Sequence, residues 1–101
     1  MPPLTAATDL RLCLLFSPEE QYLVRLLLQD ECGDNLPLLG AADSAAVERV
    51  RFAALKFSGG SMDRLEQALC LARTDWRDLL VAAEFAHDAR AHEAWLPAAR
   101  G

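Results

Sequence analysis

The sequence predicts an all-α fold, a compact bundle of four to five short helices. Apolar side chains recur at the three- and four-residue spacing of helices, several segments open on residues that cap helices, and no pair of strands can be found. The chain has 101 residues, of which 52% are hydrophobic, so it has room for one core. We therefore expect a single helical domain over 1–97 and a tail at 98–101.

The first segment is ambiguous between helix and strand. Thr8 or Asp9 is placed to cap a short helix over 10–16. Leucine alternates with other residues in the same stretch, which is also typical of a strand. Because no partner strand appears later in the chain, the helix is favoured.

The second helix has the clearest start signal. Ser17, Pro18 and Glu20 form the pattern of a capping box with proline at the first helical position. The helix is expected over 18–32, and Gly33 is expected to end it.

This 18–32 helix is apolar around about three-quarters of its circumference, whereas one neighbouring layer covers a stripe of only a little over 100°. The apolar side chains are Tyr22, Leu23, Val24, Leu26, Leu27 and Leu28. A second chain could cover the remainder, or the N-terminal segment could fold back onto it. We favour a protein partner, and in particular a homodimer, while both arrangements satisfy the sequence.

The next helix is expected at 44–57, after a loop at 33–42 and a cap at Asp43 or Ser44. Its apolar face comprises Val47, Val50, Ala54 and Phe57. Its charged residues, which largely avoid that face, are Glu48, Arg49, Arg51 and Lys56.

Two further helices are predicted at 61–73 and 75–86, with Ser61 and Thr74 as caps. Met62, Leu65, Leu69 and Ala72 form the buried stripe of the first, and Trp76, Leu79, Leu80 and Ala83 that of the second. A last short helix is expected from Asp88 to the proline near the end of the chain.

The formal net charge of −5 is divided unevenly along the chain. Residues 1–42 carry −4, residues 43–73 carry +1 and residues 74–101 carry −2. No segment has the cationic excess that phosphate backbones require, so nucleic acid is not an expected partner. No apolar run approaches the ~20 residues of a membrane span, so no membrane association is expected either.

The chain contains three cysteines, Cys13, Cys32 and Cys70. An odd number without close pairing is unlike the disulfide framework of a small secreted domain. The N-terminus has neither the basic start nor the cleavage site of a signal peptide. We therefore predict a cytoplasmic protein with three free thiols and no cofactor.

The densest polar cluster contains Glu84, His87, Asp88 and His92. Glu84 and His87 have the i, i+3 spacing with which metal-binding bundles point a carboxylate and an imidazole the same way. Such sites need a second motif that the chain lacks, so these residues are only candidate metal ligands. The favoured interpretation is a half-buried His87 that continues the apolar stripe of its helix.

The turn Ser58-Gly59-Gly60-Ser61 could be read as a phosphate-binding loop or as the turn of a helix-turn-helix. It lacks the strand and the lysine of a P-loop. The second helix would present Asp63 and Glu66 to phosphates, the wrong charge for DNA. No motif of a catalytic nucleophile occurs.

The stretch from Lys56 to Pro97 contains SGG, DWRDLLVAA and an AHxxWLP ending. In these motifs it resembles a group of short uncharacterised bacterial helical proteins. The resemblance covers about two-fifths of the chain, and it implies a bacterial helical domain and no catalytic residues.

The sequence thus favours a small non-enzymatic helical protein that self-associates or binds another protein. The alternative is a metal- or ligand-binding protein or an enzyme with a polar site near Glu84–His92. A helix-turn-helix DNA-binding regulator is the third interpretation.

Overall fold

A computed structural model describes residues 4–32, 44–88 and 90–97 of the chain. Within these ranges it contains four α-helices, one 3-10 helix and no strand, which confirms the all-α prediction. The elements are α1 (Ala6–Leu15), α2 (Pro18–Glu31), α3 (Ser44–Ser58), α4 (Met62–Ala82) and the 3-10 helix (Ala91–Ala94). The predicted loop at 33–42, its Gly33 terminator, the Asp43 cap and the tail at 98–101 lie outside the described residues.

Helix α3 lies at the centre of the bundle, with α4 packed along it and with α1 and the 3-10 helix against its other sides. All residues from Val50 to Leu55 are buried, including Arg51. The prediction that Arg51 avoids the buried face is therefore wrong. Because the helix is covered around its circumference, the guanidinium turns inward, and its Nε donates a 2.8 Å hydrogen bond to the Cys32 carbonyl.

Helices α1 and α2 are capped differently from the predictions. The cap of α1 is Thr5, whose hydroxyl accepts from the Thr8 amide at 3.1 Å, so Thr8 lies inside the helix and is buried. Helix α2 begins at Pro18 as predicted, but Ser17 does not cap the backbone with its side chain. The Ser17 hydroxyl instead contacts the Glu20 carboxylate at 3.1 Å.

The break predicted between the helices at 61–73 and 75–86 is present as a kink within α4, where Asp75 is non-helical (φ −160°, ψ 101°). The Asp75 carboxylate accepts from the Arg77 amide at 3.0 Å, as a cap does, so the cap lies one residue after the predicted Thr74. The Thr74 hydroxyl donates back to the Cys70 carbonyl. Ser61 is a cap as predicted, accepting from the Arg64 amide.

The turn between α3 and α4 requires glycine at a specific position. Gly60 has φ +91°, and a Cβ on it would lie 2.7 Å from the Leu15 carbonyl oxygen. Gly59 also has positive φ but has no atom within 4 Å of such a Cβ. The SGGS motif therefore allows the turn to pass close to the C-terminal end of α1.

Candidate functional site

The predicted polar cluster is not assembled, because α4 ends at Ala82, before its first member. Glu84 adopts φ +66°, and the Phe85 amide donates to the Leu80 carbonyl at 2.8 Å, the geometry of a Schellman-type helix end. The predicted helix through 86 is therefore wrong. Phe85 is buried in the core just beyond this helix end.

Without the helix, Glu84, His87 and Asp88 lie exposed in the segment after α4, and of the four candidates only His92 is buried. The interpretation of His87 as a half-buried histidine is wrong. In the part of the chain that the structure describes, no three histidine, cysteine, aspartate or glutamate side chains form a group that could hold a metal ion. The metal and enzyme alternatives near Glu84–His92 remain untested predictions that this geometry does not favour.

The buried histidine belongs to an aromatic cluster with Phe52, Phe85 and Trp95. The His92 ring lies edge-on to Phe52, with 5.1 Å between centroids, and also contacts Phe85. Its Nδ1 has no hydrogen-bond partner in the described structure. Burial lowers the pKa of His92, while the nearby Glu93 acts in the opposite direction. His92 is therefore a neutral core side chain near neutral pH.

Three cations bind the segment after α4 through its backbone carbonyls. Arg49 donates to the carbonyls of Phe85 and Asp88, and Lys56 donates to that of Ala83 at 2.9 Å. The buried Arg11 of α1 donates to the carbonyls of Trp95 and Glu93. Local sequence patterns do not predict these contacts, although an arginine at position 11 inside an apolar stretch is a signal of a buried role.

A shallow cleft of about 220 Å³ lies beside the helix end at Glu84. Its lining residues are Lys56, Phe57, Arg64, Ala82, Ala83 and Glu84. Both cations already have protein partners, since Lys56 bonds Ala83 and Arg64 donates to the Phe57 carbonyl at 3.0 Å and stacks on the Phe57 ring. The cleft therefore does not present an organised set of groups for a ligand.

The helix-turn-helix interpretation requires that α4 offer free cations to DNA phosphates. Asp63 and Glu66 of α4 are exposed, as predicted. All three basic residues of α4 already have partners: Arg64 donates to the Phe57 carbonyl, and Arg73 and Arg77 form ion pairs with Glu31 and Asp75. This surface is a poor match to a phosphate backbone.

An apolar surface remains on α2. Only Val24 and Leu28 of this helix are buried. Tyr22, Leu23 and Leu26 are 70%, 49% and 38% exposed. Helix α1 packs on another side of α2, where Arg25 forms a 2.6 Å ion pair with Asp9.

The exposed side chains of α2 form a surface that we call the outer face. Glu19, Leu23, Leu26 and Asp30 follow one another at the i, i+4, i+7, i+11 spacing of a single helix face, with Tyr22 beside them. All five are exposed. The outer face is therefore apolar at its centre and acidic at both ends.

No helix in the described ranges combines the length and apolar character needed to cross a membrane. Comparison with protein families, curated proteins and solved structures finds no match to this chain. The resemblance to short bacterial helical proteins stays a prediction.

Proposed function

We propose that this chain is a non-enzymatic helical interaction protein and that the outer face of α2 is where it binds another protein chain. One observation carries the proposal, the joint exposure of Tyr22, Leu23 and Leu26 on a single helix. Adjacent apolar side chains left in water forgo about 25 cal/mol per Å² and are typical of interaction sites. A large aromatic such as Tyr22 is also a frequent energetic centre of interfaces.

Self-association is one form of this function. A twofold dimer would place the outer faces of two copies against each other and would cover all three apolar side chains. Light scattering at micromolar concentration tests this form directly. A mass that rises toward twice 11.1 kDa with concentration would support a homodimer, and a constant monomer mass would exclude it.

Site-specific photo-cross-linking in the cells that make the protein tests the function as a whole. A cross-linking amino acid at position 23 is expected to give discrete adducts that disappear when Leu26→Ser is added. The matched control carries the cross-linker at Val81, which is 64% exposed on α4. Identical adducts from both positions, or none from position 23, would contradict the proposal.

A further inference from the structure

We propose that the outer face of α2 binds a basic amphipathic helix of another protein, one whose apolar stripe has Lys or Arg at both ends. This inference rests on the proposed function and names the chemistry of the partner. Its basis is the arrangement of charge along the outer face. Leu23 and Leu26 occupy the middle, while Glu19 and Asp30 occupy the ends.

The carboxylates at these ends are not neutralised by cations of α2 itself. Arg25 is the basic residue of that helix, and it lies on the α1 side, where it is bonded to both carboxylate oxygens of Asp9. At the C-terminal end, Arg73 of α4 pairs with Glu31. Glu19 and Asp30 form no ion pair with any described residue. An incoming partner would therefore meet one unpaired carboxylate on each side of the leucines.

A second copy of the chain fits this pattern poorly. If two α2 helices packed antiparallel about a twofold axis, Glu19 of one copy would lie near Asp30 of the other. If they packed parallel, each carboxylate would lie near its own equivalent. Both arrangements oppose like charges, and the net charge of −5 adds repulsion between whole chains. A membrane surface rich in anionic lipid is disfavoured for the same reason.

A basic amphipathic helix complements both the apolar centre and the acidic ends of the outer face. Glu19 and Asp30 are eleven residues apart, so at 1.5 Å per residue they are separated by about 16 Å along the axis. A partner helix with basic residues at that separation could pair with both carboxylates while its apolar stripe covers Leu23, Leu26 and Tyr22. Such helix-against-helix recognition needs apolar anchors for affinity and end charges for register.

Two synthetic peptides test the inference with the full-length protein. Both are amphipathic helices of about 20 residues with the same leucine stripe, one with Lys at each end of the stripe and one with Glu in the same positions. Fluorescence anisotropy should show that the Lys peptide binds at least about tenfold more tightly than the Glu peptide and that added salt weakens its binding. In a Glu19→Lys/Asp30→Lys variant, the preference is expected to reverse.

Two further variants separate this inference from the proposed function. Leu26→Ser should abolish binding of the Lys peptide, whereas Val81→Ser should leave it unchanged. Equal affinity for both peptides, lost in Leu26→Ser, would overturn the charge inference while the proposed function stands. A wild-type dimer that Leu26→Ser dissociates, with neither peptide bound, would establish a second copy as the occupant. A monomer that binds neither peptide would also overturn the inference, and the cross-linking experiment would then decide the proposed function separately.

Discussion

The Nε of Arg11 donates a 2.9 Å hydrogen bond to the carbonyl oxygen of Trp95, which joins the first helix to the last described segment of the chain. The same guanidinium donates to the carbonyls of Ala7 and Glu93 and lies 4.3 Å from the centroid of the Phe52 ring. One buried cation thus satisfies backbone acceptors from both ends of the chain and stacks on the central helix.

Replacing this cation should therefore be costly. Arg11→Met keeps much of the aliphatic volume but leaves three part-buried carbonyls without this donor, so we expect the free energy of unfolding to fall by about 2–4 kcal/mol. Urea denaturation measures the change. Arg90→Met is the control, because its side chain is 82% exposed. A loss no greater than that of the control would show that water replaces Arg11 at these carbonyls.

The close approach of Gly60 to Leu15 gives a second prediction. Gly60→Ala combines a positive φ with a clash against a backbone oxygen, so we expect it to destabilise the fold by about 2 kcal/mol or more. Gly59→Ala meets open space and should cost only about 1 kcal/mol. Thermal unfolding of both variants gives the comparison, and equal losses would contradict the close packing of this turn on α1.

Glu84 occupies a left-handed position at the end of α4, where glycine is the usual residue. Glu84→Gly is therefore expected to raise the free energy of unfolding by about 0.5–1 kcal/mol, since it relieves backbone strain. Glu66→Gly, on the exposed surface of the same helix, should instead lower it by about 1 kcal/mol. If both substitutions destabilised the protein equally, α4 would have to continue through position 84 in solution.

The pKa of His92 is lowered by burial, so its effect on stability has a defined direction. The unfolded chain binds a proton near the ordinary pKa of 6.5, while the folded protein binds it only at a lower pH because His92 is buried. The free energy of unfolding should therefore fall as pH drops below about 6.5, by at most about 1.4 kcal/mol per pH unit from this group.

Urea denaturation between pH ~7 and ~5 measures this dependence. His92→Gln should flatten it, whereas His87→Gln, at an exposed position, should preserve it. The lowered pKa of Asp9, which follows mainly from its hydrogen bond with Arg25, acts in a separate range below about pH 4. An unchanged slope in His92→Gln would assign the dependence to other groups.

The three cysteines are free thiols in different environments. Cys70 is exposed and Cys13 is half-buried, while burial raises the pKa of Cys32 to about 12. At mildly alkaline pH, a disulfide reagent should modify Cys70 first, Cys13 more slowly and Cys32 only when the protein unfolds. Mass spectrometry of the labelled peptides gives the order. Modification of Cys32 at the rate of Cys70 would show that the contact between Cys32 and Arg51 opens readily.

The sequence by itself determined the helical class and the approximate positions of its helices. The signals were local: helical periodicity, the proline at position 18 and the serine cap at position 61. Each depends only on residues within about one helical turn, so it can be recognised without the tertiary structure. The excess of apolar residues on α2 was also visible, because it depends only on composition and spacing. The structure retains that excess as the exposed outer face.

Tertiary packing decided which helix is central and where α4 ends. Arg51 is buried because α3 is covered on several sides. Glu84 adopts a left-handed conformation because Phe85, the next residue, packs into the core. Neither effect can be predicted from the residues next to it in the sequence. The end of α4 at Ala82 also decided which histidine is buried. It leaves His87 in solvent, and the segment that follows brings His92 against Phe52. Long-range burial outweighs local propensity at such positions, because covering apolar side chains contributes more free energy than one helical turn.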